Sequence, residues 1–218
     1  MKKILLAGAV ALFGLSNAQI AKGTTYLSGS VGYSQVESNN GNDKKENFNV
    51  LPRVGYFVNT NLAIGLGLGY ETEKTTKTTT TTLGNTTIVT ENVNKTPAFV
   101  VEPFVRKYWT LSDKLYFFGQ LAVPMKFGKT EDENSTVATS GNSVVTNSTS
   151  TEAKYTKIGV TVKPGLDYFL NKNWTIEATI GEFGYSNFKP KDGDATNNYN
   201  FGLNLASVTF GVKYVFAK

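Results

Sequence analysis

The 218-residue chain contains no cysteine and no histidine. The first absence excludes a disulfide framework, a thiolate-bound metal and a lipid-bearing cysteine at a mature N-terminus. The second removes the commonest general base and the commonest transition-metal ligand, and with them any Ser–His or Cys–His nucleophile. Beyond the N-terminus no apolar run reaches the roughly 18 residues of a transmembrane helix. A chain of this kind that enters a membrane must do so as a closed β-barrel, because lipid offers no partner to an open sheet edge. What is present is glycine, threonine, asparagine and aromatic residues, a composition of strands and turns.

The N-terminus reads MKKILLAGAVALFGLSNAQ. Lys2 and Lys3 precede a short apolar run, Ile4 to Leu15, and Ser16-Asn17-Ala18 closes it with small residues at the −3 and −1 positions. This is the pattern of a secretory signal peptide cut after Ala18, leaving residues 19–218 as one exported domain. The two lysines leave with it, so the formal net charge falls from +5 to +3. A mildly basic balance gives no argument for nucleic acid.

Three segments share one pattern: PRVGYFVNTNLAIGLGLGY from Pro52, PFVRKYWTLSDKLYFFGQLAV from Pro103, and PGLDYFLNKNWTIEATIGEFGY from Pro164. Each reads as strand, tight turn, strand, and such repeats fix architecture. With a first and a last strand added, eight strands are predicted near 24–36, 47–57, 62–74, 95–108, 114–129, 153–169, 174–186 and 206–216. Short and long connections alternate strictly, so the short turns share one end and the long loops the other, as in outer-membrane barrels.

Side chains of a strand alternate between faces. Leu62, Ile64, Leu66, Leu68 and Tyr70 share one face of the third strand, against Ala63, Gly65, Gly67, Gly69 and Glu71 on the other. A membrane barrel turns the apolar face outward between aromatic girdles; a soluble lipocalin-like carrier turns it inward. The girdle expected at the loop end is Tyr33, Phe48, Tyr70, Phe99 and Phe127. At the turn end it is Tyr56, Trp109, Tyr168, Trp174, Tyr214 and Phe216. Register tests the long connections. A turn at Gly84-Asn85 sets Tyr70 opposite Phe99, Leu68 opposite Val101 and Leu66 opposite Pro103. Turns at Asn40-Gly41 and Gly141-Asn142 likewise match apolar with apolar, as a half-buried sheet demands. The low-complexity KTTKTTTTTLGNTTIVTENVNK then reads as two polar strands of one outward arm.

The other face carries Arg53, Glu71, Glu102, Arg106, Lys126, Lys157, Lys163, Asp167, Glu177 and Lys213. Eight strands leave an interior just wide enough for side chains to fill it, and buried charges need partners. The expectation is an ionic plug built around Arg53, Glu102, Arg106, Lys163, Asp167, Glu177 and Lys213; a narrow gated pore or proton path is the alternative. Glu102 and Glu177 are paired carboxylates of the kind that does acid–base work, but inside a barrel such groups are more often salt-bridged. The run GLGLG from Gly65 lies mid-strand with no helix after it, so it is not a dinucleotide fingerprint. No catalytic, cofactor-binding or metal-ligating set is expected.

The signal ending SNAQ, the stretches VGYFVNTNLAIGLGLGY and PFVRKYW, and the final VTFGVKYVF resemble the small OmpA/OmpX-like outer-membrane β-barrels, especially proteins of the outer membrane protein β-barrel domain family. The resemblance covers essentially the whole mature chain. It implies an eight-stranded antiparallel up-and-down transmembrane barrel with extended extracellular hairpin arms, held in the lipid bilayer of the outer membrane. It also implies insertion by the barrel-assembly machinery, which reads a C-terminal aromatic strand; here Phe216 is followed by Ala217 and Lys218. The expected role is that of a non-enzymatic, monomeric envelope protein whose arms touch an external surface or protein. A narrow channel for ions or small solutes, and a soluble exported lipocalin-like carrier, are the other classes.

Overall fold

A computed structural model describes residues 20–202 and 208–216; the predicted signal segment 1–18 lies outside them. Twelve strands are described: β1 (Thr25–Ser38), β2 (Asp43–Asn59), β3 (Leu62–Leu83), β4 (Thr86–Lys95), β5 (Ala98–Thr110), β6 (Leu115–Ala122), β7 (Met125–Ser140), β8 (Ser143–Phe169), β9 (Trp174–Ile180), β10 (Glu182–Pro190), β11 (Thr196–Gly202) and β12 (Val208–Phe216). Every pairing is antiparallel. From β1 the pairings run through β2, β3, β5, β6, β8, β9 and β12 and return to β1.

More strands are described than the eight expected because long segments break at Pro97, Pro124 and Gly181. Pro97 and Pro124 have no N–H to give the ladder, and their carbonyls instead accept from Lys129 N (3.1 Å) and Gly159 N (2.9 Å). Gly181 sits at φ 78. Each break lets a strand change partners. β3 pairs with β5 from Leu62 to Glu71 and with β4 from Lys74 to Leu83. β8 pairs with β7 as far as Ile158, then with β6 from Thr161.

The turns fall into two sets. Connections at 60–61, 111–114 and 170–173 lie at one end, and hairpins at 39–42, 84–85, 141–142 and 191–195 at the other. At the short end Asn171 Oδ1 accepts from the backbone of Asn173 and Trp174, both at 2.9 Å, the side-chain turn that asparagine forms readily. At the far end Gly84 takes φ 60, the first position of a type II′ hairpin. The registers follow from these tips: Leu83 opposite Thr86, Tyr70 opposite Phe99, Tyr33 opposite Phe48 and Met125 opposite Ile158. The fourth hairpin joins β10 and β11, where the sequence reading has a loop from 187 to 205. Its signal is Asp192-Gly193 after Pro190, a turn sequence between two polar runs.

The core lies inside the ring toward the short turns. Tyr26, Phe57, Phe104, Tyr108, Tyr116 and Phe118 are buried there, with the Tyr26–Phe57 and Phe57–Tyr108 centroids 5.7 and 5.4 Å apart. Ile20 closes the floor, its N–H donating to Asn61 Oδ1 at 2.8 Å. Inward glycines make room for the rings. A Cβ at Gly165 would lie 2.3 Å from Phe118 Cζ and 2.6 Å from the Ala178 carbonyl oxygen. Gly165→Val is therefore expected to cost about 1–3 kcal/mol, the usual penalty of overpacking. A urea titration in phospholipid vesicles reads it; an unchanged midpoint would show that the Phe118 ring swings aside freely.

Candidate functional site

The interior is built in layers. Lys213, on β12, is fully buried and pairs with Asp167 of β8, while its ammonium also donates to Tyr108 Oη at 3.2 Å. The ammonium sits 4.9 Å from the Tyr108 centroid and 5.1 Å from that of Tyr26, within the range of cation–π attraction. In the next layer Arg106 of β5 donates to Glu177 Oε2 at 2.5 Å and to Gln120 Oε1 at 2.8 and 2.6 Å. Its guanidinium carbon lies 4.2 Å from the Phe118 centroid. Above it, buried Glu102 accepts from Arg53 at 2.9 Å and Lys163 at 3.2 Å, and Lys163 also reaches Glu182 at 3.2 Å. Nearest the hairpins, Lys126 pairs with Glu71 at 2.6 Å.

Arg53, Glu102, Arg106, Lys163, Asp167, Glu177 and Lys213 thus come together through five strands of the ring and their ion pairs. Sequence reasoning passed over Tyr108 and Gln120, which link the ion pairs, and Tyr26, whose ring faces the Lys213 ammonium. Tyr108 shares the parity of Arg106 and Glu102, and that parity was the available signal. Among the described residues, filling by rings is confined to the turn-end half, however. A cavity of about 830 Å³ occupies the loop-end half, because the inward residues there include Gly159, Gly184 and short polar side chains rather than rings.

Outside the ring the arrangement is apolar. Leu66, Leu68, Val105, Leu121, Ile158 and Val160 are exposed, as are Tyr33, Phe48, Tyr56, Tyr70, Phe99, Trp109, Phe127, Tyr168, Trp174 and Phe216. Tyr214 is half-buried, with its ring 5.0 Å from both Trp174 and Phe216. Charges inside and aliphatics outside reverse the layout of a lipocalin-like carrier.

The arms are not separate hairpins. β4 pairs with β7 along its whole length, from Thr86–Ser140 to Lys95–Glu131, so the two hairpins merge into one sheet continuous with β2 and β8. That pairing takes up one edge of each hairpin, β4 of the first and β7 of the second. Polar cross-strand contacts knit the sheet: Asn94 to Asp132 at 2.6 Å, Asn134 to Asn92 at 2.6 Å, and Lys129 to Glu131 and Glu152 at 2.6 and 2.8 Å. The hydrogen bond from Lys129 holds the Glu131 carboxyl below the usual carboxylate range, and bonds to Glu131 and Glu152 raise Lys129. A lowered carboxylate loses its contribution only as pH falls through its folded pKa, so this contact persists at neutral and mildly acidic pH.

The chain is similar to the N-terminal β-barrel domain of OprF from Pseudomonas aeruginosa, at 8% identity over 90% of this chain and 100% of that one, with a TM-score of 0.40. It is also similar to Ail, the attachment invasion locus protein of Yersinia pestis, at 14% identity over 89% and 99% of the two chains, with a TM-score of 0.35. No curated protein matches it. The sequence profile described as "Outer membrane protein beta-barrel domain" matches residues 5–216. A match over nearly the whole length, on a chain with paired charges inside and aliphatic side chains outside, shows an outer-membrane protein that belongs to the outer membrane protein β-barrel domain family.

Proposed function

We propose that the mature chain, released by cleavage after Ala18, is a monomeric eight-stranded up-and-down barrel that acts without catalysis as a surface-contact protein of the envelope. In this reading each broken pair of strands, such as β4 with β5, is one staggered barrel strand. The aromatic residues named above form the two lipid-facing girdles, and the barrel-assembly machinery inserts the chain.

The observation that carries the reading is the merged arm sheet. β8 alone has 27 residues, roughly 90 Å of strand at about 3.3 Å per residue, far more than the roughly 25 Å apolar band of an outer-membrane barrel requires even when tilted. The excess is polar, internally paired and held away from the membrane. Pre-ordering of this kind lowers the entropy cost of contact with a partner. Acid–base chemistry has little support, since Glu102 and Glu177 are each held by an arginine. A channel also has little support, because rings and ion pairs fill the turn-end half.

Replacing residues 75–94 with a Gly-Asn turn should abolish most binding of whole cells to an external surface or to other cells, with membrane insertion unchanged by heat-modifiable gel migration. Undiminished binding by an inserted variant would count against the arms. Planar-bilayer recordings should show no stable, wide open state; finding one would favour the channel.

A further inference from the structure

The cavity in the loop-end half is more than empty space above the ionic plug. We infer that it is a binding site for a small, singly charged anion, a sugar-sized carboxylate or sulfate, with Lys157 as the main charge partner. This goes beyond the surface-contact reading and does not depend on it.

The first ground is charge. The acids on the cavity wall are Glu71, Glu102, Glu177 and Glu182. Each is already engaged: Glu71 by Lys126, Glu102 by Arg53 and Lys163, Glu182 by Lys163, and Glu177 by Arg106 from the layer below. Lys157 also lines the cavity, and no acid among the described residues is left to it. Its cross-strand partner in the β7–β8 register is Lys126. Like charges directly opposite are unfavourable; Glu71 already neutralises Lys126, so the uncompensated charge of the pair is that of Lys157, which an anion would offset.

The second ground is an unpaired hydroxyl. Thr161 shares the inward face of β8 with Lys157, lines the cavity, and is 5% exposed, yet its Oγ1 has no hydrogen-bond partner among the described residues. Buried polar atoms are normally satisfied. Gly159 lies between the two, packed against the β10 backbone and Pro124, so the backbones of Lys157 and Thr161 sit about 13 Å apart, enough to span a monosaccharide and its acidic substituent.

The third ground is the remaining lining. Asn49, Asn198 and Asn200 offer amides that donate to and accept from ring hydroxyls without adding charge. The volume of about 830 Å³ falls in the range of small-molecule sites, roughly 300–1,000 Å³. A partly enclosed site also strengthens the ion pair relative to open water.

The test is isothermal titration of the full mature chain, refolded in detergent micelles, with glucuronate, glucose 6-sulfate and glucose. One or both acidic sugars should bind saturably, and glucose should bind at least about tenfold more weakly. Lys157→Gln should weaken the acidic sugar by about tenfold or more, Lys157→Arg should retain binding, and Thr161→Val should weaken it several-fold with charge unchanged. Heat-modifiable migration checks that each variant is folded. The inference is overturned by absent saturable binding of both acidic sugars, by glucose binding as tightly as they do, or by a folded Lys157→Gln that matches wild type. If Lys157→Gln fails to fold, Thr161→Val decides: undiminished affinity there overturns the site.

Discussion

Arg106→Met is expected to lower the unfolding free energy by about 3–5 kcal/mol, the cost of leaving one member of a buried ion pair without the other. Glu177 is 5% exposed and Arg106 is its direct ion-pair partner. With the guanidinium gone, the carboxylate must stay charged and unpaired or take up a proton. The same change strands Gln120 Oε1, which accepts two of the arginine's hydrogen bonds. Adding Glu177→Leu should recover most of the loss, because removing both charges also removes the desolvation that the pair had to offset. Urea unfolding of the four proteins of this cycle in phospholipid vesicles measures the coupling. A double variant no more stable than Arg106→Met would show that the plug is held by the aromatic shell rather than by the pair.

Leu66→Arg is expected to cost about 2–4 kcal/mol, the penalty for an arginine on the lipid face of a barrel near the bilayer midplane. Leu66 is exposed and lies between the levels of Tyr70 and Tyr56, with Val54 and Pro103 as its cross-strand neighbours. Leu83→Arg makes the same chemical change on the same strand at the hairpin tip, where Leu83 is also exposed. There water solvates the charge, and the change should stay within about 0.5 kcal/mol. Equal effects at the two positions would mean that the apolar face meets water along its whole length, which would sink the lipid-facing assignment. A graded series along β3, through Leu68 and Tyr70, would then locate the outer boundary of the apolar band.

Much of this architecture was legible from local chemistry. Leu62 to Tyr70 alternate with small or charged residues, and two-residue periodicity has a single structural meaning. The glycine-first hairpin tips then fixed registers such as Leu66 with Pro103 and Leu121 with Val162, because a one-residue slip would turn every leucine inward. Even the threonine tract was readable as strand, since Gly84-Asn85 sat in phase with residues far down both flanks.

Other features had no local signature. Nothing in TTIVTENVNK shows that its far edge meets NSTVATS rather than water, because polar strands carry no pattern that names a neighbour. The strand breaks at Pro97, Pro124 and Gly181 were equally hidden. Pro52, Pro103 and Pro164 lie inside strands without ending them, so proline alone did not mark the breaks. Which charges pair was also open: Arg106 has Glu102 on its own strand but reaches across the lumen to Glu177. The sequence by itself determined an antiparallel, two-faced sheet with its charges gathered on one side, because alternation and turn chemistry are local. Tertiary structure alone decided that the arms fuse into one sheet, that the described rings fill the lower half of the interior, and that Lys157 lines a cavity whose described acids are paired with other bases. Those outcomes depend on which residues meet across strands distant in sequence and on how large their side chains are when they meet.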